Sequence, residues 1–136
     1  MQVYGIYKHC MFMPTEEKFK AKAEKFLNDD SIKLLACLNE EKVEGVIAIS
    51  FLEQCKIEII GIAVDLSARG KGVGFYMIKQ ALNDYGVISV YAETDKDAVG
   101  FYKKNGFIVT EFSEIYSDNT VIRYRCELNK LICPIE

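Results

Sequence analysis

The residues best suited to chemistry lie in one stretch, Arg69-Gly70-Lys71-Gly72-Val73-Gly74. Three glycines at alternate positions strip Cβ atoms from a turn, so backbone N–H groups can approach an anion closely. A helix should begin at about Val73, with its unsatisfied N–H groups and positive dipole end aimed at the same place. Arg69 and Lys71 add mobile positive charge at the rim. A diphosphate is the natural ligand, and spacing narrows the kind. A nucleoside-triphosphate P-loop needs Gly-Lys followed by Ser or Thr, which the chain lacks. A dinucleotide fingerprint needs Gly-x-Gly-x-x-Gly directly off a strand. Here the spacing is Gly-x-Gly-x-Gly, four residues beyond the predicted strand end.

Other reactive residues are less well placed. His9 has no Gly-x-Ser-x-Gly segment to serve, so a hydrolase triad is not expected. The five cysteines (Cys10, Cys37, Cys55, Cys126 and Cys133) are odd in number and irregularly spaced, without Cys-x-x-Cys. Neither a disulfide framework nor a structural metal site is expected; reduced thiols, some packed in the core, are.

The elements that must position the glycine turn follow from periodicity. Val3–Lys8 reads as a strand. A helix enters at Pro14-Thr15-Glu16-Glu17, carries Phe19, Ala23, Phe26 and Leu27 on one face, and stops at Asn28-Asp29-Asp30. Ile32–Leu38 and Val43–Leu52 are strands joined by the polar turn Asn39–Lys42. Lys56–Val64 is an Ile-rich strand leading to the glycine turn. The next helix buries Val73, Met77, Ile78, Ala81 and Leu82 and ends near Tyr85-Gly86. Then come a strand over Val87–Glu93, a short helix over Ala98–Lys104 stopped by Asn105-Gly106, and strands Phe107–Phe112 and Val121–Leu128 around Ser117-Asp118-Asn119. The order β-α-β-β-β-α-β-α-β-β implies an α/β (α+β) domain with a mixed central sheet of about seven strands.

Composition fits that reading. In 136 residues, half are hydrophobic and 27% charged, and 17 Lys and Arg against 20 Asp and Glu leave a net charge of −3. One domain spanning residues 1–136 is expected, with no electrostatic reason to bind nucleic acid or an anionic membrane. The N-terminus lacks the pattern of a secretory signal, and no apolar run approaches the ~20 residues of a membrane span. A cytoplasmic location is expected.

Two segments resemble the GNAT family of acyl-CoA-dependent N-acetyltransferases. The family's Arg/Gln-x-x-Gly-x-Gly/Ala, between its fourth strand and the following helix, is matched by Arg69–Gly74. A second family segment is matched by Asp95-Lys96-Asp97-Ala98-Val99-Gly100-Phe101-Tyr102-Lys103-Lys104-Asn105-Gly106-Phe107. The resemblance implies that the sheet splays between its fourth and fifth strands, Lys56–Val64 and Val87–Glu93, to admit pantetheine. It implies acetyl-CoA as cosubstrate, held by Ile62, Ala63, Val64, Arg69, Gly70, Lys71, Gly72, Val73, Gly74, Asp95, Phe101 and Tyr102, with no metal. The Ile62 backbone N–H would face the thioester carbonyl, and Tyr102 would protonate the departing sulfur. Asp95 stands where the family more often has Asn, which exchanges an amide for a carboxylate but keeps N-cap ability.

Acetyl transfer to an amine also needs a base. A primary amine of pKa ~10.4 is about one part in 10³ neutral at pH 7, a cost of ~4–5 kcal/mol. Glu58 is the candidate: strict alternation puts it on one face with Ile60, Ile62 and Val64, subject to a bulge at Gly61. Without the resemblance, Glu58 reads as an exposed strand residue and Tyr102 as a core tyrosine. The expected partners are acetyl-CoA and an amine acceptor, whose kind the residues leave open. The chain is expected to act as a monomer or homodimer. An acyl-CoA-binding regulatory module and a non-catalytic α/β interaction domain stay open at this level.

Overall fold

The structure, a computed structural model, describes residues 30–129 together with Lys20, Ala21, Glu24, Lys25 and Asn28. The expected strand Val3–Lys8 and the apolar positions of the expected first helix lie outside these residues. Lys20, Ala21, Glu24 and Lys25 are helical and exposed. The Asn28 N–H donates to the Glu24 carbonyl at 3.1 Å, at the stop read from Asn28-Asp29-Asp30.

Strands β1 (Ile32–Asn39), β2 (Lys42–Leu52) and β3 (Lys56–Val64) form an antiparallel meander. Helix α1 (Val73–Asp84) crosses over to β4 (Ser89–Thr94), which lies parallel to β3. Helix α2 (Val99–Lys104) leads into the hairpin β5 (Ile108–Tyr116) and β6 (Asn119–Asn129). The sheet order is β1-β2-β3-β4-β6-β5, six strands among the described residues, with one parallel pair.

Each boundary has a local cause. Both helices end in a Schellman-type stop, with left-handed Gly86 and Gly106 followed by Val87 N–H to Leu82 C=O (3.1 Å) and Phe107 N–H to Tyr102 C=O (3.0 Å). That stop consumes Val87, so β4 begins at Ser89 rather than at the expected Val87. The β5–β6 hairpin runs longer than expected because Ser117 and Asp118 adopt positive φ and close it tightly.

Residues paired across a ladder share a face, so the register sorts the sheet. One face carries Ile47, Ile49, Ile57, Ile59, Val90, Ala92 and Cys126, packed with Met77, Ile78, Ala81 and Leu82 of α1 and Val99 and Tyr102 of α2. Burying an isoleucine such as Ile49, Ile57 or Ile78 fully stabilises the fold by about 1.5–3 kcal/mol.

The register also corrects the alternation expected for β3. Ala48 stands opposite Gly61 and Ile49 opposite Ile59, so Ile60 is an extra residue, a bulge just ahead of Gly61. Beyond it the parity reverses. Ile62 and Val64 join Ile57 and Ile59 on the helix-covered face, while Glu58, opposite Ser50, shares the other face with Gly61 and Ala63.

Candidate active site

The glycine turn is built to present N–H groups. Gly70 and Gly72 both have φ +79°, a left-handed conformation costly for residues with a Cβ, and among the described residues the space above them is open to 4 Å. Gly72 is the N-cap of α1, with no side-chain cap and no acidic residue in the first turn. The first-turn N–H groups of α1 therefore keep their positive end toward that opening.

The turn is anchored on both sides. The Asp65 carboxylate accepts from the Ser67 N–H at 3.3 Å and from the Ser67 hydroxyl, and Lys42 Nζ lies 3.6 Å away. The Ser67 hydroxyl bond first, then the Ser67 backbone bond and Lys42, together hold this carboxyl below its ordinary range against desolvation, which acts in the opposite direction. The Arg69 Nε donates to the Val64 carbonyl at 3.1 Å, so Arg69 ties the turn to the end of β3 while Lys71 stays exposed at the rim. At Gly74 a Cβ would stand 2.8 Å from a Phe101 ring carbon. Helix α2 thus lies against the first turn of α1, and the two sequence segments that suggested chemistry touch.

Beside the turn the sheet opens. β3 and β4 pair only where Lys56–Ile59 meet Ser89–Ala92. From Ile60 to Val64 the edge of β3 toward β4 has no strand partner among the described residues, which leaves the Ile62, Ala63 and Val64 backbone beside a gap. An extended chain can enter such a gap as an added strand.

Glu58 sits at the last paired rungs before the gap, opposite Tyr91, and is half-buried. Burial, and secondarily the charge of Glu93, push its carboxyl above the ordinary range. The Tyr91 hydroxyl donates to the Glu93 carboxylate. Tyr91 is itself pushed up to about 12, by burial first and then by that bond. Arg125 Nε lies 4.0 Å from Glu93, and the guanidinium sits 4.4 Å over the Phe112 ring. Tyr91, Glu93 and Arg125 were not read as site residues from sequence. Alternation along Val87–Glu93 puts Tyr91 and Glu93 on one face, but only the β3–β4 register brings that face to Glu58.

Tyr102 is 4% exposed, with its ring edge-on to Phe101 (5.1 Å) and Phe107 (5.0 Å). Its ring is a core element fixed in place by its neighbours. The Asp95 carboxylate accepts from the Asp97 and Ala98 N–H groups, both at 3.0 Å, and so organises the turn into α2. A groove of about 420 Å³ starts at Gly72 and follows Phe75, Tyr76, Lys79, Gln80 and Asn83 along the outer side of α1, away from the β3–β4 gap. His9 lies outside the described residues. Among the described residues no group of His, Cys, Asp and Glu is arranged to hold a metal ion, and no helix is long and apolar enough to cross a membrane.

A family model described as the acetyltransferase (GNAT) family matches residues 1–107. Among curated proteins no sequence match is found. Among solved structures, the chain is similar to the Bacillus subtilis acetyltransferase in complex with CoA: 16% identity, TM-score 0.67, 95% of this chain and 91% of that one covered. Ard1 from Thermoplasma volcanium is 24% identical, with a TM-score of 0.69 over 95% and 89% of the two chains. A GNAT family acetyltransferase from Elizabethkingia anophelis with acetyl-CoA bound is 15% identical, with a TM-score of 0.66 over 93% and 89%. At these identities the likeness is one of fold.

Proposed function

The chain belongs to the GNAT acetyltransferase family, and from that premise we propose that it transfers an acetyl group from acetyl-CoA to a primary amine, carried by a small molecule or by a peptide or protein, through direct attack in a ternary complex. The observation that carries this reading is the adjacency of two features: an open, uncapped glycine turn at the start of α1, and a sheet that parts beside it beyond Ile59. A pyrophosphate suits the first and a pantetheine arm the second.

In this reading the N–H groups from Arg69 to Gly74 hold the pyrophosphate, and the unpartnered edge Ile62–Val64 lies along the pantetheine. Acetyl-CoA supplies the carbonyl that is attacked and the thiolate that leaves. Glu58 removes a proton from the ammonium form of the acceptor, directly or through water; its half-buried setting and upward shift make it a stronger base than an exposed carboxylate. The Ile62 N–H receives the developing oxyanion, a contribution of the order of 2–4 kcal/mol for a well-aimed donor. Tyr102 returns a proton to the sulfur, and its packing between Phe101 and Phe107 supports a fixed ring direction. Cys37, Cys55 and Cys126 are free thiols, in keeping with action in a reducing compartment such as the cytoplasm.

The test is thiol release from acetyl-CoA across a panel of amines, with products followed by mass. Release should require an amine, and initial rates should follow an intersecting pattern. Parallel lines, the mark of a covalent acetyl-enzyme, would refute direct attack. Tyr102→Phe should lower turnover by about 10–10³ with CoA affinity near normal; unchanged turnover would remove Tyr102 from the chemistry.

A further inference from the structure

The face of the sheet opposite α1 and α2 carries an ordered row of charge of which the reaction above uses only Glu58. From the register, the ionisable groups on this face are Lys56 and Glu58 on β3, Tyr91 and Glu93 on β4, Arg123, Arg125 and Glu127 on β6, and Glu114 and Tyr116 on β5, Tyr116 being hydrogen-bonded to Glu114. Arg123 is spoken for by Glu114, with its Nε 3.6 Å from that carboxylate. Lys56 and Glu127 are exposed, as are Glu93 and Arg125. What sets Tyr91, Glu93 and Arg125 apart is that side-chain contacts join them beside Glu58 at the β3–β4 gap.

Their geometry is specific. Tyr91 pairs with Glu58 across the parallel ladder, and its hydroxyl reaches two residues along β4 to the Glu93 carboxylate. Glu93 pairs with Arg125 across the antiparallel ladder, and Arg125 in turn rests on the Phe112 ring. Glu93 is thus fixed by a donor on one side and a cation on the other, at the point where β4 leaves β3. We infer that Glu93, held by Tyr91 and Arg125 one rung beyond Glu58, is a positioning residue whose field adds to burial in tuning the charge state of Glu58.

The signs follow from Coulomb's law. Second to burial, Glu93 opposes ionisation of Glu58, and a cation 4.0 Å from Glu93 reduces the field that carboxylate exerts. Removing Glu93 should make Glu58 ionise at lower pH. Removing Arg125 exposes Glu58 to the uncompensated carboxylate, so Glu58 should ionise at higher pH. A merely structural role for these residues would change stability or plateau rate without moving that titration in opposite directions.

This inference rests on the proposed role of Glu58 as base, and the test keeps the two apart. The Glu58 side-chain carboxyl is followed by carbon NMR through a pH titration in the wild-type chain, Glu93→Gln, Arg125→Met and Arg125→Lys. Glutamine keeps an acceptor for Tyr91, methionine keeps bulk over Phe112, and lysine restores the charge. The titration should move down in Glu93→Gln, up in Arg125→Met, and return toward wild type in Arg125→Lys. No movement, or movement with one sign in both Glu93→Gln and Arg125→Met, overturns the inference. The second readout is the pH profile of acetylation. On its acid limb Glu93→Gln should retain about two- to tenfold more of its plateau rate than wild type at the same pH. A limb that ignores a shifted carboxyl signal removes Glu58 as base while the coupling itself stands.

Discussion

Gly72→Ala separates the backbone demand of the glycine turn from its use in binding. At φ +79° an L-residue is disfavoured by about 1–2 kcal/mol, partly offset by about 0.4–1 kcal/mol through the stiffer unfolded chain. Steric conflict adds nothing among the described residues, none of which, chain neighbours aside, comes within 4 Å of the new Cβ. That Cβ does project into the space a diphosphate must enter. Losing one N–H contact to a charged oxygen costs about 1.5–3 kcal/mol, a rise in the CoA dissociation constant of roughly 10–150-fold. Gly86→Ala is the control. It also has positive φ, +62°, and open space, but sits at the far end of α1. It should lose about 1 kcal/mol of unfolding free energy and leave CoA affinity unchanged. Urea unfolding and titration calorimetry with CoA give both quantities for both variants. Gly72→Ala binding CoA as tightly as wild type, or Gly86→Ala weakening it equally, would refute the assignment of the turn.

Gly74→Ala should be destabilised by about 1–3 kcal/mol through overpacking, because its Cβ would stand 2.8 Å from the Phe101 ring; Phe101→Leu should recover part of that loss, and a double-mutant cycle with no coupling would refute the contact. Glu58→Gln bears on stability as well as rate. A carboxyl raised in the folded state contributes stability at pH below its unfolded value and loses it as pH rises through the folded value. Thermal melts should therefore coincide with wild type in acid and favour Glu58→Gln at neutral pH; the reverse order would contradict the burial of Glu58. Asp95→Ala should cost about 0.5–2 kcal/mol, as for a lost cap, with Asp95→Asn close to wild type in urea unfolding.

Where sequence patterns come from burial, they were readable. β3 was bounded at Lys56 and Val64 because its isoleucines are flanked by polar Gln54-Cys55 and Asp65, and the buried face of α1 was readable from Met77, Ile78, Ala81 and Leu82. The distal half of the β5–β6 hairpin was not, because Ser113, Ile115 and Tyr116 are exposed there and leave no apolar period to detect. Its strands are held by ladder bonds and by a two-residue turn. The Glu93 clamp was hidden for a different reason: Tyr91 and Glu93 share β4, but Glu58 and Arg125 lie far from them in the chain, and no local spacing announces a register between β3, β4 and β6.

The bulge at Ile60 links these two kinds of information. With strict alternation, the face carrying Ile57 and Ile59 would continue through Gly61 and Ala63, placing the two smallest residues of β3 under α1 and turning Ile62 and Val64 outward beside Glu58. One extra residue reverses this assignment. The larger side chains join the helix-covered core, and Gly61 and Ala63 fall on the Glu58 face. Bulges also sharpen strand twist, and the β3–β4 pairing ends at Ile59, immediately before the extra residue. The same local feature that fills the core therefore turns β3 away from β4 and keeps the side of the gap next to Glu58 lined by small residues. The fold and the opening proposed to admit the pantetheine arm are in this sense one structural decision, made at a single position.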